Sequence, residues 1–169
     1  MIEFADPLTG VNMLFVAFIL WVIAGNLRGK TGGKETGYLC ILVGALNSVT
    51  ALYLLIAAQN PLGFGAFLLF AFTYFYFAMD ILGGADTFTG LGNYALGVAI
   101  TTIPYAILYF SAGDVIMGIV WLAWGQLWFV FYLANGLKKN VAKFMIADTY
   151  VVAVAQFIIA ICHHMFKYF

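Results

Sequence analysis

The side chains with the most chemical character in this sequence are aromatic. Trp121, Trp124 and Trp128 stand at i, i+3 and i+7 in the run Val120-Trp121-Leu122-Ala123-Trp124-Gly125-Gln126-Leu127-Trp128, a spacing that places them on one face of a helix. A second run, Phe70-Ala71-Phe72-Thr73-Tyr74-Phe75-Tyr76, puts Phe72 and Tyr76 on a shared face, which Asp80 continues one turn on. Indoles and hydroxyls buried among apolar atoms need hydrogen-bond partners. Either neighbouring helices supply them and the rings are packing, or a polar solute does. Walls of rings with a few hydroxyl and indole partners suit a small, flat, neutral, polar solute. Its faces stack on rings while its edges exchange hydrogen bonds, and an ion finds no fixed countercharge.

Other reactive groups are few. Asp80 and Asp148 fall within apolar stretches, where ionisable groups are costly and become functional candidates. Both also read as charges near helix ends: Asp80 beside Gly83, and Asp148 within snorkelling reach of Lys139 or Lys143. His163 and His164 are adjacent, so they point in different directions on a helix. They are expected to be exposed at the membrane surface rather than to bind metal, with a proton-sensing role as the sharper alternative. Ser48 and Ser111, the only serines, lack a Gly-x-Ser-x-Gly setting, and the chain is not read as an enzyme. Cys40 and Cys162 give neither a disulfide framework nor a zinc spacing. No metal and no cofactor are expected.

The elements that must position these groups are legible from composition. Of 169 residues, 65% are hydrophobic and 8% charged, where a soluble domain carries roughly 25% charged residues. Mean hydropathy is +1.03. Seven Lys and Arg balance seven Asp and Glu, which excludes a basic nucleic-acid binder and an acidic disordered tail. Lipid is the solvent that such a surface fits. Six stretches reach the roughly 20 apolar residues that a spanning helix needs: Leu8–Leu27, Tyr38–Ala58, Leu62–Leu82, Gly92–Phe110, Val115–Leu137 and Phe144–Phe166.

The expected fold is therefore an all-α integral membrane protein, one six-helix bundle domain over residues 1–169. Stretches this long are helices rather than barrel strands. Glu3 and Asp6 replace the basic start of a secretory signal, so the first stretch is read as a span. Connections 1–2, 3–4 and 5–6 hold Arg28, Lys30, Lys34, Lys138, Lys139 and Lys143, against Lys167 alone on the other side. The excess places those connections in the cytoplasm and both termini outside. In the fourth stretch, Ala95 with Ala99 and Gly97 with Thr101 have the spacing of close helix packing, and Pro104 is expected to kink the helix.

Three segments together resemble the AmiS/UreI family of bacterial urea and short-chain amide channels: 70–76, Ala99-Ile100-Thr101-Thr102-Ile103-Pro104, and the tryptophan run 120–128. The resemblance implies a homohexamer in the cell inner membrane, one pore per protomer, with lipid filling the ring centre. It implies that Phe72 and Tyr76 line one side of the pore and Trp121, Trp124 and Trp128 the other, so that the third and fifth spans face a shared hollow. The permeant would be urea or a short-chain amide, consumed by a cytoplasmic urease or amidase.

Two departures bear on this reading. Acid-gated members carry a long, His-rich loop between spans two and three, where this chain has only Ala58-Gln59-Asn60-Pro61-Leu62-Gly63, so acid gating is not expected. Such members also carry a glutamate in span six. Val152 holds that position here, with Asp148 one turn toward the cytoplasm and Gln156 one turn outward, either able to serve in its place. The reading is a passive channel. Its competitors are a proton-coupled small-solute transporter using Asp80 and Asp148, and a structural or assembly protein whose aromatics only pack.

Overall fold

The computed structural model describes residues 7–166, and among these every regular element is helical. The helices are α1 (Pro7–Leu27), α2 (Gly33–Ile56), α3 (Pro61–Leu82), α4 (Thr89–Ser111), α5 (Val115–Phe131) and α6 (Ala142–Ile159). α5 and α6 each run on into a π-helical turn, Tyr132–Gly136 and Ala160–Met165. With those turns included, all six are long and apolar enough to cross a membrane. In lipid the backbone must bond to itself, which helices do throughout their length. Glu3, Asp6 and Lys167, on which the topology argument draws, lie outside the described residues.

Helix ends follow local chemistry. α2 begins at Gly33, five residues before the expected Tyr38. Glu35 accepts the Gly32 N–H at 3.0 Å, so the charged run that reads as a connection supplies the first turn. Asn60 accepts the Gly63 N–H at 2.9 Å, with Pro61 opening α3. Asp114 does the same for Met117 at the start of α5, also at 2.9 Å. α4 is continuous through Pro104 from Thr89 to Ser111.

Contacts group the chain into two compact units, one of residues up to Gly84 with those from Ala153 onward, the other Ala85–Val152. In the first unit, α2 and α3 pack as an antiparallel pair. Leu82 lies where a Cβ on Gly37 would stand only 2.6 Å from its Cγ, and the Phe75 ring is 3.1 Å from the corresponding point on Gly44. α1 joins this pair through a buried bond from Asn12 Nδ2 to Thr50 Oγ1, 2.7 Å. Asn12 also donates to the Leu8 carbonyl at 3.1 Å.

In the second unit, α4 and α5 form the main pair, again antiparallel. Gly118 sits against the Phe110 ring, Gly125 against Thr102, and Gly92 against the backbone of Asn135 and Gly136. The missing side chains let the two backbones approach. Of the small residues expected to pack in α4, Ala95 and Ala99 are buried, whereas Gly97 looks onto open space.

Candidate functional site

The tryptophan face of α5 is covered by protein. Trp121, Trp124 and Trp128 are all buried, at 2%, 6% and 5% exposure. The opposite face of α5, with Ile119, Leu122, Gln126 and Phe129, is exposed. Trp121 lies flat on Tyr105 of α4, with ring centroids 4.3 Å apart and 10° between planes. Tyr109, one turn further along α4, lies 6.3 Å away at 30°. Trp124 meets Trp121 edge-on at 5.1 Å and 81°. Trp128 contacts Phe131 at 5.9 Å and 60°. Offset and edge-to-face pairs of this kind contribute about 0.5–1.5 kcal/mol each beyond burial. Sequence reasoning missed Tyr105 and Tyr109. Their four-residue spacing directly after Pro104 was the available signal.

Asp148, on the α6 segment of this unit, is partly buried. The Gln126 carboxamide of α5 is within hydrogen-bonding reach of its carboxyl. The sequence left two readings for Asp148, a charge snorkelling toward Lys139 or Lys143 and a functional group within the span. The structure gives it a neutral neighbour from α5, and Gln126 is a second polar group that the sequence reading passed over.

In the first unit, Phe72 projects from α3 at 52% exposure, while Thr73, Tyr74 and Phe77 are buried. Tyr76 and Asp80 are partly buried on the Phe72 side. Asp80 lies in the last turn of α3, next to Gly83 at the helix end. The Thr73 hydroxyl bonds its own helix, donating to the Leu69 carbonyl at 2.8 Å. The fourth tryptophan, Trp21, is half exposed. With Phe18, Ala153, Val154 and Phe157 it borders an open groove of about 360 Å³ that has no polar side chain.

One expectation changes. His164 is fully buried rather than exposed at a membrane surface. It sits in the π-helical turn against Gly10 of α1, where a Cβ would stand 2.8 Å from its own. His163 is partly buried and meets the His164 ring edge-on at 5.0 Å. Gln156, one of the two candidates for the missing span-six carboxylate, is buried and donates to the Met13 carbonyl at 2.9 Å. Its amide ties α6 to α1. Val152, at the position itself, is buried and apolar.

Six membrane-length apolar helices define a multi-pass membrane protein. The comparisons narrow this. Residues 8–163 match the family model described as AmiS/UreI family transporter, and the chain belongs to that family. Its members are channels and transporters, not enzymes.

A Rhodococcus erythropolis protein named AmiS2 is 34% identical over 140 residues, covering 79% of this chain and 68% of the relative. The acid-activated urea channel of Helicobacter pylori is 31% identical over 171 residues, covering 80% of this chain and 86% of that one. The crystal structure of the H. pylori urea channel superposes with a TM-score of 0.82 at 28% identity, covering 91% of this chain and 96% of that chain. A cryo-EM structure of that channel in a closed state gives 0.80 at 29% identity, covering 90% and 94%.

Proposed function

We propose that the chain is a passive channel for urea or a short aliphatic amide, the whole sequence acting as one channel domain. The observation that carries this is the match of residues 8–163 to the AmiS/UreI family, one relative in which is named a urea channel, together with three α5 tryptophans buried in protein. Indoles that served only as interfacial anchors would sit at the bilayer surface. In this reading the permeant meets Trp121, Trp124, Trp128 and Asp148 in the second unit and Phe72 and Tyr76 in the first. Ring faces take the flat face of the solute. Indole N–H groups and tyrosine hydroxyls donate to its carbonyl, and the Asp148 carboxyl accepts from its N–H. Selectivity arises from bore and hydrogen-bond match.

The family resemblance supports a homohexamer in the inner membrane, with a pore in each protomer and a cytoplasmic urease or amidase consuming the permeant. The Lys and Arg distribution supports termini outside. The short 58–63 connection, without a titratable side chain, supports a channel that acid does not gate.

One observation favours a second reading, a proton-coupled transporter: Asp148 is an ionisable group held by Gln126 within a span. Uptake into proteoliposomes, with and without a pH gradient, separates the two. The channel brings internal solute to the external concentration and no higher, and does so at the same rate at pH 5 and pH 7. Accumulation driven by the gradient and abolished by Asp148→Asn would establish the transporter. A steep rise in rate at acid pH would overturn the ungated reading.

A further inference from the structure

The aromatic cluster around Trp121 contains more protein than a bare tryptophan stripe. Tyr105 covers one face of the indole at stacking distance. Trp124 closes an edge, and the Tyr109 ring lies 6.3 Å away at 30°. Tyr105 and Tyr109 are themselves partly exposed, whereas Trp121 is not. In this cluster a solute therefore reaches the tyrosines more readily than it reaches Trp121.

The stack has little room to rearrange. On α5, Gly118 and Gly125 flank Trp121, and each is pressed against α4, on Phe110 and Thr102 respectively. Two close helix contacts on either side of the ring pair hold the backbone separation, so the phenol of Tyr105 occupies a fixed slot. A smaller residue at 105 would leave that slot open beside Trp121, because packed interiors collapse only partly around a lost ring.

We propose that Tyr105 determines the size of solute the protein passes, by filling the space over Trp121. The class admitted is flat amides of one or two carbons and urea, and the class refused is longer or bulkier amides. The inference rests on the channel reading above and deepens it. The hydroxyl is secondary to the ring, because stacking on Trp121 and volume are properties that phenylalanine keeps.

The test is flux in proteoliposomes for urea, acetamide and butyramide, with wild type, Tyr105→Phe and Tyr105→Ala, each checked for assembly by size-exclusion chromatography. Wild type passes urea and acetamide and holds butyramide near the empty-vesicle rate. Tyr105→Phe keeps that pattern. Tyr105→Ala raises the butyramide-to-acetamide ratio at least fivefold. If Tyr105→Ala does not assemble, Tyr105→Leu, which gives up the planar ring, replaces it with the same expected direction.

An unchanged ratio in an assembled variant overturns the role of Tyr105 while leaving the channel intact. A shift of equal size in Tyr105→Phe assigns selectivity to the hydroxyl and overturns the ring-filling argument. Wild-type flux of urea and acetamide no greater than in empty vesicles overturns the channel reading, and this inference falls with it.

Discussion

The α2–α3 pair and the α4–α5 pair solve the same packing problem with different side chains. Each brings two antiparallel helices together over glycines: Gly37 and Gly44 in the first, Gly118 and Gly125 in the second. In the first unit several buried polar side chains bond to protein. Asn12 bonds Thr50, Gln156 bonds the Met13 carbonyl, and Thr73 bonds its own helix. In the second unit the helix contact is bordered by rings, Tyr105, Tyr109, Trp121 and Trp124, while Gln126, which reaches Asp148 of α6, lies on the opposite, exposed face of α5. Polar ties specify how helices pair. Ring clusters with hydroxyl and indole edges can also exchange partners with a solute. On the proposed channel reading, the polar ties of the first unit serve helix pairing, and the rings of the second unit, with Phe72 and Tyr76 of the first, meet the solute.

The largest effect expected from breaking this comparison is at the close approach of α4 and α5. Gly125→Leu places a branched side chain onto Thr102 and should cost about 3 kcal/mol or more, read as loss of assembled protein on size-exclusion chromatography. Gly97→Ala, on the open side of α4, should leave assembly intact. Equal damage from both would show that the glycine contacts do not set the helix spacing.

Asn12→Leu is the matching perturbation in the first unit. Loss of the Thr50 bond should lower stability by about 1–2 kcal/mol, seen as a lower midpoint in a detergent thermal-shift assay. Solute rate per assembled protein should stay within about twofold. A variant of wild-type stability that had lost its flux would reverse the roles assigned to the two units.

The smallest effect is expected at Asp148. Asp148→Asn keeps a carbonyl acceptor toward Gln126 and toward a solute N–H, so urea flux should fall less than about threefold and show no new dependence on a pH gradient. Complete loss of flux would make ionisation of this group part of transport.

Much of the fold was legible because lipid imposes it. Runs of about 20 apolar residues announce spans whatever packs against them. What escaped depends on contacts between helices. The early start of α2 turns on one carboxylate, Glu35, reaching back to Gly32. The burial of His164 turns on Gly10, more than a hundred residues away. The partnership of Asp148 with Gln126 crosses from α6 to α5. The tryptophan stripe was visible as a helical period. That Trp121 lies flat on Tyr105 was not, since hydropathy and spacing within α5 carry no information about α4.

The most direct test of the central claim is stopped-flow urea uptake into proteoliposomes holding wild type or Trp124→Ala, with assembly of both verified beforehand. The account predicts that wild-type vesicles equilibrate at least tenfold faster than empty ones and that Trp124→Ala falls close to the empty-vesicle rate. Wild-type vesicles no faster than empty ones, or an assembled Trp124→Ala that conducts as well as wild type, would contradict it.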